Sequence, residues 1–424
     1  NKLNIQFELD QARQLHQAGK AGEAEIIYRR ILAQQPNHSE ALNLLGVIES
    51  QRGNTDLAAE LFKKAIAADP SSAVNYNNLA VVANDLGRYD AAAQAGCEAI
   101  RLRPNYAQAH YNLGNAFRGQ GQATEALDAY RRAIQIQPDY FEAYNNLGNL
   151  LNEKGLTTEA HRVYLTALKL KPDYAETHNN IGTILHSSNQ LDAAISAYHN
   201  AIKFKPDFAD AHNNLGSALK DQGLLKESLE EYRIALHINP NYHQAHSNLI
   251  LTMHCDAATD TTEISRCLAK WNQLHAEPLK NFIQSHLNDP DPERRLRIGY
   301  VSADFREHVV GWNLLPLFLE HNHALFDIFC YSSVKKSDPV TEILRSKTHA
   351  WRDIHGVQDA QAAQMIRDDK IDILVDLAVH SGDNRLLIFA RKPAPIQVTW
   401  LGYPGSTGLK TIDYRLSDPY LDPP

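Results

Sequence analysis

AQAHYNLGNAFRGQGQATEALDAYRRAIQIQP (107–138) decides the fold of more than half of this chain. It carries Leu113-Gly114, then Phe117, then Ala126, Tyr130, Ala133 and a closing Pro138. Two helical runs flank Gly121, a residue for which a left-handed turn is cheap. Gly114 and Ala126 are small, so the two helices can approach closely, and Tyr130 fills the space beside them. Pro138 lacks an N–H and clashes with the preceding turn, which ends the second helix. The closing proline recurs at a fixed interval of 34 residues: Pro36, Pro70, Pro104, Pro138, Pro172, Pro206 and Pro240.

A 34-residue period with this pattern is the signature of tetratricopeptide repeats, which stack into a superhelix with a concave groove. Gly46, Gly148, Gly182 and Gly216 share the Gly114 position, where Ala80 departs. Gly19, Gly53, Gly87, Gly155 and Gly223 share the turn, and Asn189 replaces glycine there. Ala24, Ala58, Ala92, Ala160 and Ala194 share the Ala126 position, with Ser228 in the seventh repeat. Tyr28, Phe62, Tyr164, Tyr198 and Tyr232 supply the aromatic ring. Gly96 breaks that last series and is expected to leave the third repeat looser. The array is expected to form one continuous superhelix.

Asn78, Asn112, Asn146, Asn180, Asn214 and Asn248 occupy the sixth position of successive first helices. That position lies roughly 150° from the mean direction of the core positions, so it is expected to face the open inner surface. A carboxamide offers both a donor and an acceptor, which suits a peptide backbone whatever its side chains. The six residues are therefore expected to form a peptide-binding ladder, replaceable by alanine without loss of folding. The alternative is a solvated face copied by repeat duplication, although asparagine is a mediocre helix former for such a face.

The net charge of −8 argues against an electrostatic nucleic-acid binder. No stretch reaches the roughly 20 apolar residues of a membrane span. Cys97, Cys255, Cys267 and Cys330 show no CxxC spacing, as expected of reduced thiols in a cytoplasmic protein. Asp289-Pro290-Asp291 reads as a turn rather than a metal site. His321-Asn322-His323 lacks the partners of a nuclease triplet, and His243 and His246 lack a third metal ligand.

After Pro240, residues 241–253 read as the first helix of an eighth, incomplete repeat, and a helical stretch from about Thr262 to Leu287 follows. The character then changes. Leu296–Ser302, Phe326–Ser332, Ile371–Leu377 and Ile396–Leu401 read as buried strands, with Ile412–Leu416 as a further candidate. Strands alternating with helices predict a parallel, doubly wound sheet whose ligands bind at the carboxyl ends of the strands. Three polar loops fall there. The first holds His308, an imidazole able to accept a proton near neutral pH. The second holds His380-Ser381-Gly382-Asp383-Asn384-Arg385. The third, Gly402-Tyr403-Pro404-Gly405-Ser406-Thr407-Gly408, is glycine-rich but is neither GxGxxG nor a P-loop.

LRIGYVSADFREH (296–308) and RKPAPIQVTWLGYPGSTGL (391–409), preceded by repeats with an asparagine ladder, resemble the O-linked N-acetylglucosaminyltransferase family. The resemblance implies two Rossmann-like halves, a nucleotide-sugar donor, protein Ser/Thr hydroxyls as acceptors and no metal. It places the family's proton acceptor on His308 and its donor-sugar cleft on Leu401, Gly402, Tyr403, Pro404 and Gly405, with His380 beside them. DLAVHSGDNRL and GLKTIDYRLSDPYLDPP lean toward the bacterial and SPINDLY-type branch, which includes protein O-fucosyltransferases using GDP-fucose. The chain ends at Pro424, where the resemblance implies that a donor-binding second half should follow, so the chain is expected to be truncated and inactive alone.

The expected architecture is an α-helical tetratricopeptide superhelix followed by an α/β Rossmann-like domain. Its divisions are seven repeats over 1–240, a partial repeat and linker helices over 241–290, and the first catalytic half over 291–424. The expected activity is transfer of GlcNAc from UDP-GlcNAc to Ser/Thr of proteins held by the repeats. The alternatives are fucosyl transfer from GDP-fucose, or a scaffold that only binds peptides. No cofactor, metal, nucleic acid or membrane partner is expected.

Overall fold

The computed structural model describes residues 2–291, 293–403 and 405–417, with the backbone alone for 2–4. It divides into two compact units, Asn1–Ser188 and Asn189–Pro424.

The first unit is built of helical hairpins, such as Ala107–Gly119 with Ala123–Ile136 and Phe141–Glu153 with Thr157–Leu170. Each second helix stops two residues before its proline, as Ile136 does before Pro138. The turn between the helices closes as a Schellman motif. Gly121 has φ 76°, its N–H reaches Arg118 O at 3.0 Å, and Gln122 N reaches Phe117 O at 2.8 Å.

The paired helices touch through glycine. A Cβ built on Gly114 would lie 2.6 Å from the Tyr130 ring, and one on Gly148 would lie 2.5 Å from Tyr164. The third repeat lacks the ring, but its gap is not left open. Leu113 of the next repeat stands against Gly96, 3.3 Å from where a Cβ would sit.

The asparagine series departs from its expected exposure. Asn112 is buried, and Asn78, Asn146, Asn180, Asn214 and Asn248 are half-buried. Their amides bond between stacked repeats. Asn78 donates to Asn43, Asn112 to Asn77, Asn146 to the Tyr111 hydroxyl, Asn180 to Asn145 and Asn248 to Asn213, each 35 residues back. Asn146 and Asn180 also donate to Asn115 and Asn149, which accept the hydroxyls of Tyr130 and Tyr164. First helices of adjacent repeats stack close together, so the sixth position meets its neighbour before it meets solvent. These residues therefore tie stacked repeats together, so their removal is expected to cost stability.

In the second unit, His243–Cys255 forms the expected first helix of an eighth repeat. The long helix expected after it is shorter. Thr261–Trp271 is α-helical, Asn272–Ala276 widens to a π turn, and Glu277–Phe282 tightens to a 3-10 turn. Pro278 accounts for the change, since it cannot donate to the residue 274 carbonyl and crowds it.

Six strands follow: β1 (Leu296–Ser302), β2 (Phe326–Ser332), β3 (Ala350–Asp353), β4 (Ile373–Asp376), β5 (Ile396–Thr399) and β6 (Tyr414–Arg415). All pair in parallel in the order β3-β2-β1-β4-β5-β6. Alternate residues feed two cores. Tyr300, Cys330 and Val375 are in register and face Val310, Leu314 and Phe318. Val301, Tyr331 and Leu374 face the other side, where Leu249, Met253, Leu268 and Trp271 share a core with Phe389 and Leu409. The last repeat helices thus pack as a layer of the α/β region. The expected division at residue 240 falls inside this second unit.

Gly148→Leu should destabilise the first unit by about 1–3 kcal/mol, because the new side chain must displace Tyr164. A thermal melt of the variant that overlays the parent curve would show that the helices do not meet there.

Candidate active site

Strand order reverses between β1 and β4, and a doubly wound sheet opens a crevice at the carboxyl ends of such strands. A cleft of about 720 Å³ lies there. Asp304, Arg306 and His308 enter it after β1, Ser333, Lys335 and Lys336 after β2, Ser381 to Asp383 after β4, and Gly402 and Tyr403 after β5. Leu251, from the helix His243–Cys255, lines it too. Lys335 and Asp383 pair at 3.0 Å, joining two of these loops.

His308 is the N-cap of the helix Val309–Glu320, with its side chain about 40% exposed. The loop before it folds tightly under the helix. A Cβ on Gly311 would lie 2.1 Å from Arg306 O, so no other residue fits there. His308 Nδ1 accepts the Val310 N–H at 3.3 Å, and the Asp304 carboxylate lies 3.7 Å from the same nitrogen. Accepting from Val310 leaves the ring proton on Nε2. Accepting a proton at Nε2 instead requires a proton on Nδ1, which Asp304 is placed to stabilise.

The loops after β4 and β5 are held by Asp376, which is 1% exposed. Its carboxylate accepts Ala378 N at 3.2 Å, Val379 N at 3.0 Å and the Thr399 hydroxyl at 2.8 Å. Burial pushes its carboxyl up to about 6, against these hydrogen bonds. Val379 has φ 53°, Asp383 φ 55° and Leu401 φ 69°. A β-branched residue at positive φ is strained and persists only where its surroundings over-determine it. Gly402 follows because a Cβ there would lie 2.8 Å from the Ala378 carbonyl carbon.

Of the residues expected from the sequence, His308, Gly402 and Tyr403 meet in this cleft. Leu401 and Gly405 line an adjoining hollow of about 290 Å³, which shares Gly402 and Tyr403. Pro404 lies outside the described residues. His380 does not line the cleft. It is 0% exposed, with Nδ1 3.0 Å from the Ser247 hydroxyl and Nε2 2.9 Å from Thr407 O. Its loop turns at Val379, which directs the imidazole inward toward Trp271, with ring centroids 5.1 Å apart. Arg385, from the same segment, is committed to Asp359, Ser333 and the carbonyls of Ile354 and Val357.

Sequence reasoning missed Asp376, Lys335 and the strand β3. Asp376 ends an apolar run and reads as its polar cap. The signal that could have found it is an acid placed directly before a strand-end loop. His246 and His275 also gather unforeseen, with Nδ1 and Nε2 3.1 Å apart, both held neutral by burial.

Residues 221–423 match the family model described as Glycosyl transferase family 41. Residues 9–73, 61–94, 82–121, 114–155, 148–187 and 182–223 match tetratricopeptide-repeat models. A probable UDP-N-acetylglucosamine–peptide N-acetylglucosaminyltransferase SPINDLY of Petunia hybrida is 45% identical over 141 residues, 32% of this chain and 15% of that protein. The probable enzyme of the same description called SEC, from Arabidopsis thaliana, is 37% identical over 131 residues, 31% of this chain and 13% of that protein. The solved structure of a mutant O-GlcNAc transferase of Thermobaculum terrenum superposes with TM-score 0.64 at 35% identity, covering 67% of this chain and 54% of that one. The chain thus spans about half of the solved relative and a smaller share of the curated ones.

The raised carboxyl of Asp376 has a stability consequence. Its ordinary value is 3.8 and its folded value about 6, so the native state binds the proton more tightly than the unfolded chain. The resulting contribution is fully present below about pH 4 and is lost as pH rises through about 6. Urea unfolding at pH 4.5 and 7.5 should show wild type losing stability relative to Asp376→Asn as pH rises. A relative gain with pH would contradict the assignment.

Proposed function

We propose that the cleft serves protein O-glycosylation, because residues 221–423 match the model of glycosyltransferase family 41 and tetratricopeptide repeats precede them. The reaction is inverting transfer of GlcNAc from UDP-GlcNAc to a Ser or Thr hydroxyl. The observation that carries this reading is the convergence of His308 with Gly402 and Tyr403 in one crevice at the strand-order reversal. The relatives' descriptions name UDP-N-acetylglucosamine and peptide, which supports this donor over GDP-fucose.

The acceptor hydroxyl attacks the anomeric carbon, the bond to the diphosphate breaks, and the hydroxyl proton leaves toward a base. His308 Nε2 takes that proton once Nδ1 carries its own toward Asp304. The Gly402 and Tyr403 backbone lines the cleft, where it would meet the sugar. The repeats hold the acceptor protein, whose extended backbone N–H groups bond the carboxamide oxygens of Asn78 and Asn180 in the first unit, the amide nitrogens being engaged between repeats. The free thiols Cys97, Cys255, Cys267 and Cys330 fit a cytoplasmic setting. No helix among the described residues is long and apolar enough to cross a membrane.

In the full-length protein, His308→Ala should lower kcat roughly 10²–10⁴-fold with peptide KM little changed. Asp304→Asn should lower kcat less. Turnover should appear with UDP-GlcNAc and not with GDP-fucose. Normal turnover per folded His308→Ala molecule would remove the base, and activity with GDP-fucose alone would reassign the donor.

Replacing Asn78 and Asn180 together by Ala should weaken substrate-protein binding about tenfold, each lost hydrogen bond counting about 0.5–1.5 kcal/mol. The same variant should melt earlier, since Asn78 and Asn180 also bridge repeats. Calorimetry below the variant's melting range separates the effects, and unchanged affinity there would sink the ladder.

A further inference from the structure

We propose that His380 is a positioning residue that ties the last repeat helix to the cleft loops and sets the geometry of residues 401–403 and 405–409. Its importance for transfer rests on the reading above; its structural role does not.

The argument begins with donors and acceptors. Thr407 O can only accept, so His380 Nε2 carries the proton and donates across 2.9 Å. Nδ1 is then an acceptor, and the Ser247 hydroxyl, 3.0 Å away, donates to it. The same hydroxyl accepts the Trp271 indole N–H at 3.2 Å. The chain therefore runs in one direction, from Trp271 through Ser247 and His380 to the Thr407 carbonyl. No polar atom in it lacks a partner, and only one histidine tautomer satisfies it.

All four residues are at most 4% exposed, so water cannot substitute for a lost link. Each lies on a different element. Ser247 is on His243–Cys255, Trp271 ends Thr261–Trp271, His380 follows β4, and Thr407 sits in the segment after β5. Leu409 of that segment is buried in the core shared with Leu268 and Trp271. The segment's end closes on the helix through Gly408, where φ is +67° and a Cβ would lie 3.0 Å from Leu268.

The repeat register makes Ser247 informative. It holds the fifth position of its helix, which in other repeats is Asn43, Asn77, Asn145 or Asn213 and accepts the amide of the following repeat. In the last helix that position is a serine and addresses His380 instead. The inter-repeat bonding position is redirected, at the end of the array, to the wall of the cleft.

Ser247→Ala breaks the link with a helix-favouring residue, and His380→Gln removes the Nδ1 acceptor while keeping a donor. Hydrogen exchange on the full-length protein should show amides of 401–409 exchanging at least tenfold faster in both, with helix Ala107–Gly119 unaffected. In histidine-labelled wild type, nitrogen shifts should identify His380 as the Nε2–H tautomer. In transfer assays Ser247→Ala should lower kcat about tenfold or more, with peptide KM within twofold, as expected of misplaced reacting groups. Unchanged exchange in both variants, a proton on Nδ1, or uniform loosening with normal turnover per folded molecule would overturn the proposal. A wild type without transferase activity would instead refute the functional reading, leaving the tautomer and exchange results to decide the positioning role.

Discussion

A carboxylate held by backbone N–H groups and a hydroxyl organises the cleft. Asp376 is removed from water and offered two backbone N–H groups and a hydroxyl in exchange. Such burial is unfavourable for the charge, and three donors offset it only in part, which is why the carboxyl is pushed up to about 6. What the arrangement secures is conformation. Val379 and Leu401 stay in the left-handed region, and the loops they begin present Gly402, Tyr403 and Ser381 to one crevice. His308 reaches the same crevice from the far side of the strand reversal, through a loop that only Gly311 lets pass beneath its helix.

The repeats rest on a different constraint, the contact between a glycine and a ring. Tyr130, Tyr164 and Tyr232 occupy the volume a Cβ would claim at Gly114, Gly148 and Gly216. Tyr130 and Tyr164 also place their hydroxyls on Asn115 and Asn149, joining the apolar contact to the hydrogen bonds that cross between repeats. Packing and polar satisfaction thus agree at the same position, a consistency expected where one fold is well specified.

The helices were legible because their signals are local. Proline, turn glycine and a small residue opposite a ring act within a single hairpin. The strands β1 and β2 were legible to the residue, since each is an apolar run closed by Ser302 or Ser332. The strand β3 was not, because AWRD is a short edge strand with little apolar character. The asparagine series was visible as a series, but its exposure was misjudged. Helical periodicity places residues around one helix and says nothing of how closely the next helix stacks. His380 failed for a related reason. Its loop could be placed at the strand end, but the direction of its ring depends on Val379 at positive φ, which no propensity favours for a β-branched residue. Asp376 and Ser247 act only through partners distant in sequence, so nothing nearby announces them.

The 35-residue offset of the asparagine bonds bears on how such an array can change length. Each amide reaches the side chain one position before its own equivalent in the preceding repeat. Gain or loss of one whole repeat shifts donor and acceptor together and leaves every bond intact. An insertion of any other length would set asparagine against the wrong face of its neighbour. The bond register therefore permits duplication in whole repeats and penalises everything in between. It makes the number of stacked repeats a quantity that a gene can adjust in discrete steps.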